Sequence, residues 1–178
     1  MFFAVLRRRA RQLSAFVLTL LGYLALYFVD VVGVSEAEAG IAVAVWTVVG
    51  LLGDLLLIPL LERVRGLDYL RVSAVIELVL FTAFLLVPNI VLKLVILGAL
   101  GFFNSGWYSI LQGQLYSAMP GQSGAVLAVG NVFGLIGSLI PLAVGLLAEQ
   151  VGLGGAMWCL LIGPLALLIG LPRKAAKS

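Results

Sequence analysis

Six apolar stretches, each long enough to cross a bilayer, occupy nearly all of this 178-residue chain. They run over approximately Leu13–Val34, Ala37–Leu61, Leu67–Val87, Ile90–Met119, Gly121–Ala148 and Gly152–Leu171. A membrane-spanning helix needs about 20 predominantly apolar residues at about 1.5 Å of rise each. Backbone amides in hydrocarbon must find partners within their own segment, so such stretches are helices. The composition, 63% hydrophobic and 11% charged, leaves too few charges to cover a soluble domain. The expected fold is all-α: a polytopic membrane protein of six transmembrane helices.

The charges set the expected topology. Arg7, Arg8, Arg9 and Arg11 precede the first stretch, Arg63, Arg65 and Arg71 surround the second connection, and Arg173, Lys174 and Lys177 follow the last. Six crossings put these segments on one side, with Lys93 the one base of 11 on the other. The first connection holds Glu36 and Glu38 and no base. Basic residues favour the inside, so both termini are expected in the cytoplasm, and the bacterial inner membrane is the expected location. The net charge of +3 reflects this loop bias and suits anionic headgroups, with no reason to invoke nucleic acid.

The chain has no His and a single Cys, Cys159. His/Cys metal sites and Ser-His or Cys-His nucleophile pairs are therefore beyond it, and no phosphate-binding G-x-x-x-x-G-K-[ST] loop occurs. No metal, cofactor or enzymatic activity is expected. The Arg-rich start and Ala37-Glu38-Ala39 imitate a signal peptide, but the intervening run is long and contains Tyr23, Tyr27 and Asp30. A retained first helix is the expectation.

Short connections, Pro88-Asn89 among them, make sequential helices antiparallel neighbours in one membrane domain. A weak repeat is visible within it. Leu-Ile-Pro-Leu recurs around Pro59 and Pro141, and Gly22-Tyr23 and Gly106-Trp107-Tyr108 recur at nearly the same separation. Two inverted three-helix units, 13–87 and 90–171, account for this spacing; chance recurrence in a Leu-rich chain is the alternative.

The helices differ in character. In the fourth, Asn104, Tyr108, Gln112 and Tyr116 recur every four residues, which places them on one face of a continuous helix. Thr19, Tyr23, Tyr27 and Asp30 form a sparser version in the first. Tyr23, Tyr27, Asn104, Tyr108 and Gln112 are the candidate substrate-cavity residues, against interhelical hydrogen bonding in a packed bundle. Asn131, Gly134, Ser138 and Pro141 mark the fifth as a contact helix, within the chain or toward a second subunit. The sixth is nearly all apolar and reads as a lipid-facing scaffold. Carboxylates at membrane depth are functional candidates, which singles out Asp30, Asp54 and Glu77. Glu77 is the coupling candidate, Asp54 reads as a latch to Arg63 or Arg71, and Asp30 suits the interface.

The three-plus-three arrangement, a basic loop after the second helix, and Gly50-Leu51-Leu52-Gly53-Asp54 resemble the major facilitator superfamily. The five residues match the opening G-x-x-x-D of that family's signature; Leu55-Leu56-Leu57-Ile58 stand where its basic continuation belongs. The resemblance covers one six-helix half, closest to the C-terminal half. It implies that the first and fourth helices line a cavity, the second and fifth form the interface between halves, and the third and sixth face outward. It further implies a half-size secondary transporter moving a small molecule by alternating access, its second half supplied by another copy or another six-helix unit. The alternative class is a non-transporting six-helix protein that packs against another membrane protein.

Overall fold

The computed structural model describes residues 22–118, 124 and 139–170. Its elements are helices: α1 Gly22–Val32, α2 Glu36–Leu61, α3 Gly66–Leu86, α4 Ile90–Asn104, α5 Trp107–Ala118, α6 Leu139–Trp158 and α7 Ile162–Gly170. A 3₁₀ turn over Cys159–Leu161 joins the last two, and no strand occurs among the described residues. Four stretches are long and apolar enough to cross a membrane: Glu36–Leu61, Gly66–Leu86, Ile90–Gln114 and Leu139–Ile169. The protein is thus an all-helical integral membrane protein. Of the expected contact residues on the fifth stretch, Asn131, Gly134 and Ser138 lie outside the described residues.

Local chemistry sets the helix ends. The Ser35 hydroxyl accepts from the Glu38 amide at 3.4 Å, and the Glu38 carboxylate accepts from the Ser35 amide at 2.9 Å. This capping box starts α2, so Ala37-Glu38-Ala39 is the first turn of a helix. At the start of α4, Pro88 ends the preceding helix and Asn89 Oδ1 accepts from the Leu92 amide at 3.1 Å. In α1 the last six residues, Tyr27–Val32, widen into a π-helical turn that closes on Gly33 at φ 79°. The 3₁₀ turn precedes Pro164, which has no N–H for the Leu160 carbonyl, and tightening the turn accommodates that loss.

α6 is not a straight rod. Gly152, at φ 79° and ψ 156°, breaks it. Ile140, Val144 and Leu147 line one cavity together with Leu160, Ile162 and Ala166. In a straight helix Ile140 and Ala166 would stand about 39 Å apart. The chain therefore reverses at Gly152, where the sixth apolar stretch begins.

The most extensive contact joins α2 and α4. Glycines permit it: a Cβ on Gly101 would lie 2.6 Å from the Trp46 carbonyl oxygen, and one on Gly53 would lie 2.9 Å from the Phe102 carbonyl oxygen. Small residues allow backbones to approach this closely in membranes. α3 packs on α4 and α7, and α1 packs on α2 and α6. Inside the bundle the apolar core is divided. One cluster, toward the Pro88 end, includes Tyr27, Phe28, Trp46, Phe81, Phe84, Leu97, Leu100 and Met157. The other, toward the Arg63 end, includes Leu57, Leu70, Ala74, Trp107, Ile110, Leu111 and Leu167. Glu77, Asn104 and Ser105 are buried polar residues on the same two helix runs, between the clusters, and Ser73 is buried within the second.

The fourth stretch corrects the expectation of one continuous helix. It stops at Asn104 and resumes at Trp107, with Ser105 at ψ 143° and Gly106 at φ 72°. A Cβ at Gly106 would collide with Leu57. That crowding and the positive φ together require glycine here.

Candidate functional site

The break between α4 and α5 exposes backbone groups in the middle of a membrane-spanning stretch, where each needs a partner. Side chains supply them. Ser105 Oγ donates to the Phe102 carbonyl at 2.7 Å. The Tyr69 hydroxyl, from the first turn of α3, lies within bonding distance of the Phe103 carbonyl at 3.3 Å and the Ser105 carbonyl at 3.4 Å. The Ile110 amide donates to the Gly106 carbonyl at 2.8 Å and restarts the ladder. Below the break, Trp107 Nε1 donates to Ser73 Oγ at 2.8 Å, and Ser73 Oγ donates to the Leu70 carbonyl at 3.3 Å.

At the break itself Asn104 Nδ2 donates to Glu77 Oε1 at 3.0 Å. Glu77 is 0% exposed, and its Oε2 has no hydrogen-bond partner among the described residues. The one ion pair among the described residues is Arg71 with Asp68 at 3.5 Å, so no base within them neutralises this carboxyl. Polar atoms buried without a partner are rare and costly, which sets Glu77 apart from the rest of the interior.

The break also divides the expected polar stripe. Asn104 turns inward to Glu77, whereas Tyr108, 49% exposed, and Tyr116 lie on the outer surface with Gln112 half-buried beside them. On a continuous helix all four would share a face; an extended residue and a positive-φ glycine between them reset the phase. Tyr23 and Tyr27 are engaged elsewhere. Tyr23 Oη donates to the Pro141 carbonyl at 2.8 Å and rests on Gly145, tying α1 to α6. The Tyr27 hydroxyl accepts from Lys93 Nζ at 3.1 Å.

Asp30, Asp54 and Arg63 are all exposed. Arg71 pairs with Asp68, and no ion pair of Asp54 with Arg63 or Arg71 occurs among the described residues. Four residues that matter had no assigned role at the sequence level: Tyr69, Ser73, Trp107 and Lys93. The signal for the first three was the Ser105-Gly106 dipeptide, a turn former inside an apolar stretch. No group of three or more His, Cys, Asp or Glu converges among the described residues. The chain matches no protein-family model, and no curated protein is significantly similar to it.

Proposed function

We propose that this chain is one six-helix half of a secondary active transporter of the major facilitator type, working as a pair of such halves that moves a small molecule by alternating access. The observation that carries this reading is the outward polar face of α5. Tyr108, Ser109 and Tyr116 are exposed and Gln112 is half-buried, and all but Tyr116 fall within a membrane-spanning stretch. Phenol and amide groups turned toward lipid tails have nothing to bond to. Facing a second half across a water-filled cavity, they find both water and substrate. The face carries aromatic rings, an amide and hydroxyls but no charge, which suits a neutral polar or amphipathic substrate.

The packing supports the two-unit reading. Exchanging the first, second and third helices of one unit for those of the other converts a second–fourth contact into a fifth–first contact and leaves a third–sixth contact unchanged. All three occur: α2 with α4, the first leg of α6 with α1 through Tyr23 and Pro141, and α3 with α7. A broken helix beside a buried carboxyl is a recurrent feature of transporter binding sites.

The test is counterflow of neutral polar solutes in vesicles of the purified full chain, with its native mass measured in lipid. A dimer with saturable flux that Tyr108→Ala with Gln112→Ala lowers at least tenfold supports the reading. Flux indifferent to both substitutions overturns the cavity assignment. A monomer without flux returns the chain to a non-transporting six-helix protein that packs against another membrane protein.

A further inference from the structure

We propose that Glu77, paired with Asn104 at the break between α4 and α5, is a binding site for a single proton. This deepens the transport reading, on which its role as a coupling site rests, but the site itself follows from geometry. Glu77 is fully buried, makes one hydrogen bond and leaves Oε2 unpartnered. An ionised carboxylate so placed, with no counter-charge among the described residues, is costly; a proton delivered by hydronium, leaving water behind, removes the charge.

The partner is chemically suited to both states. An amide carries a donor and an acceptor on the same carbon. Asn104 Nδ2 donates to the carboxylate; with the amide turned over, Asn104 Oδ1 accepts from the carboxylic acid. Lys or Arg at this position would hold the ionised form alone. A resident metal ion fits the donor set poorly. Hard cations such as Ca²⁺ take about six to eight oxygen ligands. The carbonyls freed by the break already accept from Ser105 and Tyr69.

Among the described residues no other ionisable group competes for the proton at this spot. On α3 itself the nearest ionisable neighbour toward the Arg63 end is Arg71, six residues away and paired with Asp68, followed by Tyr69, two turns away and committed to the break. On α4, Lys93 lies at the opposite end and is bound to Tyr27 and Phe84. On α2, Asp54 is exposed, and α7 has no ionisable side chain. α5 offers only Tyr108 and Tyr116, both exposed, and on α1 and α6 Asp30 and Glu149 are exposed too.

Infrared difference spectroscopy of the full chain in lipid, wild type minus Glu77→Gln across a pH titration, tests the proposal. The expected result is a carboxylic-acid carbonyl band, absent in Glu77→Gln, that is gained and lost with pH as one proton. Asn104→Leu should move its midpoint by at least about one pH unit, a tenfold change in proton affinity. Isotope-labelled glutamate in Asn104→Leu provides the same readout should Glu77→Gln fail to fold. A band present at every pH, or absent at every pH, overturns the proposal. So does a midpoint that moves with sodium or potassium at constant ionic strength, which would assign the site to a metal cation. The readout needs no substrate: titration without flux removes the transporter and keeps the proton site, and flux with a silent Glu77 does the reverse.

Discussion

Among the described residues one acidic and one basic side chain are buried, and their surroundings are opposite. Lys93, 3% exposed, is held from several sides. Its ammonium donates to the Tyr27 hydroxyl at 3.1 Å and to the Phe84 carbonyl, and stands 5.1 and 4.7 Å from the centres of those two rings. The Phe84 carbonyl is available because its helical partner four residues on is Pro88, which has no N–H. The lysine replaces the missing amide and also sits at the negative end of α3. Glu77 has one bond and a bare oxygen. Bonds that tie one helix to another mark a group that holds the fold together; an acceptor left bare marks one kept for another purpose. Lys93 thus reads as a structural clasp, and Glu77 as a site.

That contrast makes opposite predictions for stability. Lys93→Met should destabilise the bundle the most, by about 2–3 kcal/mol, because it orphans a buried carbonyl along with the hydroxyl. Reversible unfolding in mixed micelles measures it. Gly101→Ala comes next, at about 1–3 kcal/mol, since its Cβ must displace the Trp46 carbonyl at the α2–α4 contact. Tyr23→Phe removes one interhelical hydrogen bond to Pro141 and should cost about 0.6 kcal/mol. Glu77→Gln should change stability least, by under about 0.5 kcal/mol, because Gln is an isostere of the neutral carboxylic acid and keeps a bond to Asn104. Equal losses for Lys93→Met and Glu77→Gln in the same unfolding assay would erase the contrast.

The outline of the fold was legible in the sequence, because apolar length and caps act locally. Ser35, Pro88 and Asn89 start or stop helices by bonds within four residues. The site was less legible. A four-residue recurrence from Asn104 to Tyr116 reads as one face until Ser105-Gly106 is allowed to break it, and that break depends on crowding from Leu57, far away in sequence. Glu77 stood out by its depth alone, but its partner did not, since Asn104 had been placed with Tyr108. Lys93 reads from the sequence only as the one base on the other side, because charge counting registers topology, whereas its role comes from a proline five residues before it. The glycines that let α2 and α4 touch lie on two separate stretches, and nothing in either stretch names the other.

The central claim is that the outer face of α5 lines water rather than lipid. Cys159 is the only thiol, so a Cys159→Ala background gives single-cysteine variants. Tyr108→Cys and Val79→Cys should be compared in sealed vesicles with a membrane-impermeant maleimide applied from each side in turn. Val79, 65% exposed on α3, is the control for an apolar face. The account predicts labelling of Tyr108→Cys from both sides and none of Val79→Cys. A Tyr108→Cys as unreactive as Val79→Cys would contradict it.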